Sequence, residues 1–268
     1  MGAAVCWGAG DFLGGLASRK TDALGVVAFA LCTGGILSIA FALLKHEPMP
    51  PNPQIAWAMG AGIFGGLALS AFYRALAIGK IGINAPVAGV LTAAIPAVAG
   101  IATLGAPRAI QLAGFALALV SIVLVAQGGD KQKTNRGLGL ALAAGVGFGA
   151  FILFLKFATS TYVFAPLSVS RVASTIFIGL VCVILRRSWF PQRGTWPLIV
   201  SAGVLDTTGT VMFAYAAQVG RMDVAAVLAA MYPGATVVLA RIFLKEYLTR
   251  WQTAGVLAAL AAIALIAI

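Results

Sequence analysis

Ten runs of about twenty apolar residues follow one another almost without interruption along the 268-residue chain. About twenty such residues in a helix cross a hydrocarbon core of ~30 Å. The runs lie near residues 1–17, 23–44, 55–78, 82–104, 108–126, 138–157, 165–185, 197–219, 223–243 and 251–268. The breaks between them are short: Ser18–Asp22, the Pro-rich Lys45–Gln54, Gln127–Gly137, Arg186–Thr195 and a few tight turns. None is long enough to fold as a domain. Strands of a membrane barrel would alternate polar and apolar residues, whereas continuous apolarity calls for helices, which satisfy their backbone hydrogen bonds internally. Composition removes the soluble alternative: 61% of residues are hydrophobic and 9% charged, against about 25% charged in a soluble domain. The expected fold is an all-α integral membrane protein of the cell (plasma or inner) membrane, crossing the bilayer about ten times.

The formal charge of +11, from 18 Lys and Arg against 7 Asp and Glu, resembles a nucleic-acid signature only until the positions are read. The cations gather in the breaks, where membrane proteins carry their topology signals; Lys131, Lys133 and Arg136 form one such loop. No nucleic-acid partner is expected. Cys6, Cys32 and Cys182 each fall inside an apolar run without CxxC spacing, which suggests neither disulfide nor zinc. His46 stands alone beside Lys45 and Glu47. The string GAGIFG at Gly60–Gly65 matches a dinucleotide fingerprint but has no preceding strand; with Gly66 and with Gly145–Gly149 it reads as small-residue helix packing. No Ser–His–Asp set, paired catalytic carboxylates or His-x-x-x-His helix occurs, so neither an enzyme nor a cofactor or metal is expected. No cleavable signal peptide is expected either, because the first run lacks a basic start and further spans follow.

The sequence repeats itself at an offset of 141 residues without gaps. Phe72, Ala75 and Gly79 fall on Phe213, Ala216 and Gly220; Gln111 and Gly114 fall on Gln252 and Gly255; Gly8 and Ala9 fall on Gly149 and Ala150, with Trp7 on Phe148. The shared Gln-x-x-Gly, the shared Phe-x-x-Ala-x-x-x-Gly and the matching span boundaries indicate a duplication, with repeats at 1–126 and 138–268 joined by 127–137. Five spans per half is an odd number, so the second half enters the membrane inverted. Inverted repeats are characteristic of secondary transporters, with the site near the bilayer midplane.

The opening CWGAGDFLGGLASRK, the stretch AFYRALAIGKIGINAPVAGVLTAAIPAVAG and the stretch AAVLAAMYPGATVVLARIFLKEYLTRWQTAG resemble the first helix, the third and fourth helices, and the end of the second repeat of EamA-type members of the drug/metabolite transporter superfamily. The resemblance covers both halves. It implies a transporter of small molecules such as amino acids, sugars, drugs or other metabolites, and a central cavity lined by the first, third, fourth, sixth, eighth and ninth helices. One departure is visible: Glu246 of the second repeat falls on Gly105 of the first.

Ionisable groups inside spans are costly unless they face a cavity or a partner. Asp11 and Asp206 lie well inside the first and eighth spans and are the candidates for a substrate or proton site. The bland alternative for Asp206 is bonding to Thr207, Thr208 or Thr210. A carboxylate withdrawn from water holds its proton more tightly, which is a route to proton coupling. Arg74, Arg171 and Arg241 lie nearer the span ends, where long stems reach the headgroups. The further polar and aromatic candidates are Trp7, Tyr73, Asn84, Thr92, Tyr215, Gln218, Tyr232 and Thr236. Pro86, Pro96 and Pro233 either free carbonyls for ligand contact or only set kinks.

Orientation stays open. Loops after even-numbered spans hold only Lys45, Arg108, Lys156 and Arg221, and those after odd-numbered spans the other eleven loop cations. The positive-inside rule then puts both termini outside the cytoplasm; the resemblance implies the reverse. The expected function is a secondary transporter, with export the expected direction, that moves a small metabolite or drug-like molecule by alternating access, with protons as the candidate coupling partner. The alternatives are an uncoupled facilitator or channel-like bundle, and a non-transporting scaffold. Monomer and homodimer are both compatible with the sequence.

Overall fold

The computed structural model describes residues 2–104, 108–127, 136–187, 190–219 and 231–266. These residues are helical throughout their ordered elements, with no strand among them: α1 (Gly2–Ser18), α2 (Ala23–Leu44), α3 (Asn52–Ile78), α4 (Ile81–Leu104), α5 (Ala109–Gln127), α6 (Leu138–Ala158), α7 (Phe164–Ile184), α8 (Trp196–Val219), α9 (Tyr232–Phe243) and α10 (Arg250–Ile266). Five of them, α2, α3, α6, α7 and α8, are long and apolar enough to cross a bilayer. The first part of the ninth expected span, the loop cations Lys131, Lys133 and Arg221, and Gly105 lie outside the described residues.

Local chemistry fixes the helix ends. The Asp22 carboxylate accepts from Leu24 N at 2.9 Å and caps α2, meeting one of the orphan amides of a first turn. Pro53 occupies the first turn of α3, where its missing N–H costs nothing. The repeated Gln-x-x-Gly is a start signal as well. Gln111 Oε1 accepts from Arg108 N and Gln252 Oε1 from Thr249 N, each at 3.0 Å. Gln252 N in turn donates to Thr249 Oγ1 at 3.3 Å, completing a capping box. The motif thus starts α5 and α10, two helices that lie against each other.

An equivalent ring contact recurs with the roles of the two repeats exchanged. Trp7 of α1 packs on Phe213 of α8 with ring centroids 5.6 Å apart; their repeat mates Phe148 of α6 and Phe72 of α3 pack 5.5 Å apart. The end of α1 and the start of α6 share one end of the bundle. There Arg19 donates to the Leu76 and Gly79 carbonyls, and Asn84 Nδ2 reaches the Arg136 carbonyl at 3.3 Å. α1 and its repeat mate α6 therefore run in opposite directions. This end, called basic below, carries Arg19, Lys80, Arg136, Arg187 and Lys245. The far end holds the α2–α3 and α6–α7 connections, joined where Glu47 Oε2 accepts from Ala165 N and Gln54 donates to Ser160 Oγ.

Small residues let the helices approach, as expected for Gly60–Gly66 and Gly145–Gly149. Gly62 faces the Ser170 carbonyl of α7, and Gly145 the Ala88 carbonyl of α4. At Gly8 a Cβ atom would lie 2.5 Å from the Tyr232 carbonyl and 2.6 Å from Ala235 Cβ, neither of which is a movable side-chain end. Gly8→Ala is expected to wedge α9 off α1 and to cost about 1–3 kcal/mol, despite alanine's better helix propensity. Thermal unfolding in detergent checks this.

Candidate functional site

A cavity of about 40 Å³ opens among α1, α4, α6, α8 and α9 near the middle of the bundle. Trp7 and Asp11 reach it from α1, Thr92 from α4, Asp206 from α8 and Tyr232 from α9, opposite Phe148, Phe151 and Ile152 of α6. The repeat explains the two walls: Trp7 and Asp11 have Phe148 and Ile152 as mates. One wall is therefore charged and the other apolar. The space suits a few waters, since one needs roughly 10–15 Å³ by this measure.

Several of these residues are held from behind. Trp7 Nε1 donates to the Asp206 carbonyl and to Thr210 Oγ1, both at 3.2 Å, and the indole meets the Tyr232 ring edge-on with centroids 6.3 Å apart. The Tyr232 hydroxyl lies beside Thr92. Thr92 donates to the Ala88 carbonyl at 2.9 Å, and Pro96 leaves the Thr92 carbonyl without its usual helix partner. Thr236 Oγ1 donates to the Gly8 carbonyl at 3.1 Å and pins α9 to α1.

The electrostatics turn on a residue that sequence reasoning misplaced. Arg171 was expected near a span end with its stem reaching headgroups. It is instead 5% exposed, inside α7, with Nη2 2.6 Å from Asp206 Oδ2 and 3.2 Å from Thr210 Oγ1. The threonines do not satisfy the Asp206 carboxylate: Thr210 donates to the Asp206 backbone carbonyl and Thr208 to that of Val204. Asp206 is thus balanced by Arg171. Asp11 is 7% exposed, close enough to Asp206 to feel its charge, and has no hydrogen-bond or ion-pair partner among the described residues. With all three groups ionised, the cluster carries one net negative charge, and it belongs to Asp11.

The remaining candidates are dispersed. Tyr73 is fully buried beneath α1, its hydroxyl 3.5 Å from the Gly10 carbonyl, and with Leu76 it fills the space between the cavity and the basic end. Asn84 is at the basic end, donating to the Ala75 carbonyl at 2.8 Å. Tyr215 is exposed on the outside of α8 against Phe164, and Gln218 donates to the Thr159 carbonyl at the far end. Pro86 lies in the first turns of α4, and Pro233 packs on Gly89 where α9 meets α4. Arg74 and Arg241 are exposed; the Arg241 guanidinium covers the Tyr247 ring at 4.2 Å. No group of three or more His, Cys, Asp and Glu is placed to hold a metal among the described residues.

The basic end is closed by a clasp between the repeats. Arg19 Nη2 is 2.9 Å from Glu246 Oε1, and Glu246 Oε2 accepts from Gly82 N at 3.0 Å in the first turn of α4. Lys80 Nζ donates to the Tyr247 carbonyl at 3.2 Å alongside.

Comparison with known proteins agrees with this architecture. The sequence matches the EamA-like transporter family over residues 1–127 and again over 135–268. None of the curated proteins matches it. Among solved structures, one crystal structure of a protein superposes with a TM-score of 0.68 at 16% identity, covering 99% of this chain and 96% of that one, which shows a shared fold. Matched twice by one family over nearly its whole length, the chain is a multi-pass membrane protein of the EamA-like transporter family.

Proposed function

We propose that the protein crosses the cell membrane ten times as two inverted five-helix repeats and transports small organic cations by alternating access around the Asp11 cavity. The observation that carries this reading is the unpartnered Asp11 carboxylate between aromatic walls. Arg171 neutralises Asp206, so the cavity offers one uncompensated negative charge beside Trp7, Tyr232 and Phe148. Aromatic faces and a carboxylate together favour an amine or quaternary ammonium on an apolar body. A proton neutralises the same carboxylate, so cation and proton compete for one group, which is the simplest form of exchange. The cavity as it stands has room for only a few waters, so an organic cation requires it to widen. Rocking of one repeat against the other widens it.

The test uses three analogues of one aromatic amphiphile, bearing an ammonium, a hydroxyl and a carboxylate, in thermal unfolding of the detergent-purified protein. The ammonium compound at about 100 times its dissociation constant is expected to stabilise the fold by ~2.7 kcal/mol, and the other two much less. Equal stabilisation by all three, or by the carboxylate alone, would overturn the cation reading. Uptake of the ammonium compound into proteoliposomes should then follow an imposed pH gradient; uptake indifferent to the gradient would leave an uncoupled facilitator.

A further inference from the structure

Arg171 also faces away from the cavity. Its Nε is buried and has no hydrogen-bond partner, and neither has the Oγ1 of Thr207. Both atoms lie within 4 Å of the point where a Gly34 Cβ would stand, so two unengaged donors meet where α2, α7 and α8 converge. Beside Arg171 is an apolar groove of about 160 Å³ between α2 and α7, with Arg171 as its one charged lining residue and Cys32, Ile36, Ile39, Val172 and Ile176 among its walls. Ile36, Ile39, Val172 and Ile176 are exposed on the outer surface of the bundle. These positions lie midway along α2 and α7, so the groove is reached from the hydrocarbon layer and not from water.

Leaving a guanidinium N–H unsatisfied in such surroundings is costly, and an acceptor arriving from the bilayer removes that cost. We propose that the α2–α7 groove is a lateral binding site for a single-chain, carboxyl-headed amphiphile. Its chain lies along Ile36, Ile39 and Ile176, and its carboxyl group accepts from Arg171 Nε. A carboxyl group fits better than an ammonium because the one charged residue lining the groove is a cation, whose guanidinium donates and cannot accept. A single chain fits better than a phospholipid because the Arg171 donor stands at mid-depth, far below any ester headgroup. The site does not depend on the cation cavity, though the two share Arg171: Asp206 holds Nη2 and leaves Nε to the groove.

The probe is a long-chain fatty acid carrying a diazirine on its chain, used on the purified protein in maltoside micelles beside the matching trimethylammonium, alcohol and diacyl phosphatidylcholine probes. Adducts are mapped by peptide mass spectrometry. The fatty acid is expected to label peptides spanning 32–39 and 172–176, to be displaced by unlabelled oleate, and to exceed the other three by about tenfold, the scale of one charge-assisted hydrogen bond. Arg171→Lys keeps a cation beside Asp206 but removes the Nε donor, and should reduce labelling about tenfold. Thr175→Phe fills the groove from α7 on its lipid side, where the packed interior is not disturbed, and should abolish labelling. Equal labelling by all head groups, preference for the diacyl probe, or labelling unchanged in either variant would overturn the proposal.

Discussion

Asp206→Asn is expected to lower the stability of the protein by about 3–5 kcal/mol, the scale for removing one partner of a buried ion pair. The loss arises on the other partner. Arg171 is 5% exposed inside α7, and without the carboxylate its guanidinium keeps only the Thr210 hydroxyl at 3.2 Å. A charge in that position can neither reach a headgroup nor be shed, because a guanidinium stays protonated. Arg171→Gln combined with Asp206→Asn removes both charges and should recover most of the loss, since a neutral pair of similar volume needs little solvation. Thermal unfolding of the two single variants and the double variant in one detergent forms the cycle. A single variant as stable as the native protein would mean that the ion pair is not formed in the folded molecule.

The same substitution at Asp11 should have the opposite signature. Asp11 has no partner to orphan, so Asp11→Asn should leave stability nearly unchanged while removing the charge that the cation reading requires. Losing a charge-assisted contact of about 2–3 kcal/mol weakens binding roughly 30- to 150-fold. Flux in proteoliposomes should also lose its pH dependence, because the group shared by cation and proton is gone. As pH falls, the native protein's Asp11 takes up its proton and apparent affinity for the cation drops; the Asn variant starts from the weak state and stays there. Ligand affinity and pH profile both unchanged in Asp11→Asn would remove Asp11 from the mechanism.

The helices and the repeat were open to sequence reading because their causes are local. Uninterrupted apolar runs need no knowledge of neighbours, and the 141-residue offset that aligns Trp7 with Phe148 reappears as the paired Trp7–Phe213 and Phe148–Phe72 contacts. The Gln-x-x-Gly motif was read from the sequence only as a mark of the repeat; its capping role is equally local, since a capping side chain reaches only three residues back. The site was legible only in part. Trp7, Asp11, Thr92, Asp206 and Tyr232 converge, whereas Tyr215 and Gln218, on the same helix as Asp206, face elsewhere. In water the polar stripe of a helix tells its outside from its inside. In lipid the outside is as apolar as the core, so α8 carries no periodic mark of its rotation. Arg171 was hidden for a related reason: position along a span does not tell which helix supplies the partner. The apolar wall was within reach, because transposing Trp7 and Asp11 by one repeat lands on Phe148 and Ile152.

The clasp at the basic end has a thermodynamic consequence. Two inverted copies of one scaffold would, if identical, give two access states of equal free energy. The repeat mates of Arg19, Glu246 and Gly82 are Ser160, Gly105 and Asp223, so the ion pair cannot be reproduced at the far end, where Gln54 instead meets Ser160 through a neutral hydrogen bond. A partly exposed ion pair and one amide-to-carboxylate hydrogen bond together contribute about 1–2 kcal/mol, which tilts a two-state balance by a factor of roughly 5–30. On the alternating-access mechanism proposed above, a ligand approaching the clasped side meets a binding-competent form that is the minority species. On that mechanism its apparent dissociation constant there is raised by that same factor, which would give a nearly symmetric scaffold two unequal doors, one of them shut by default.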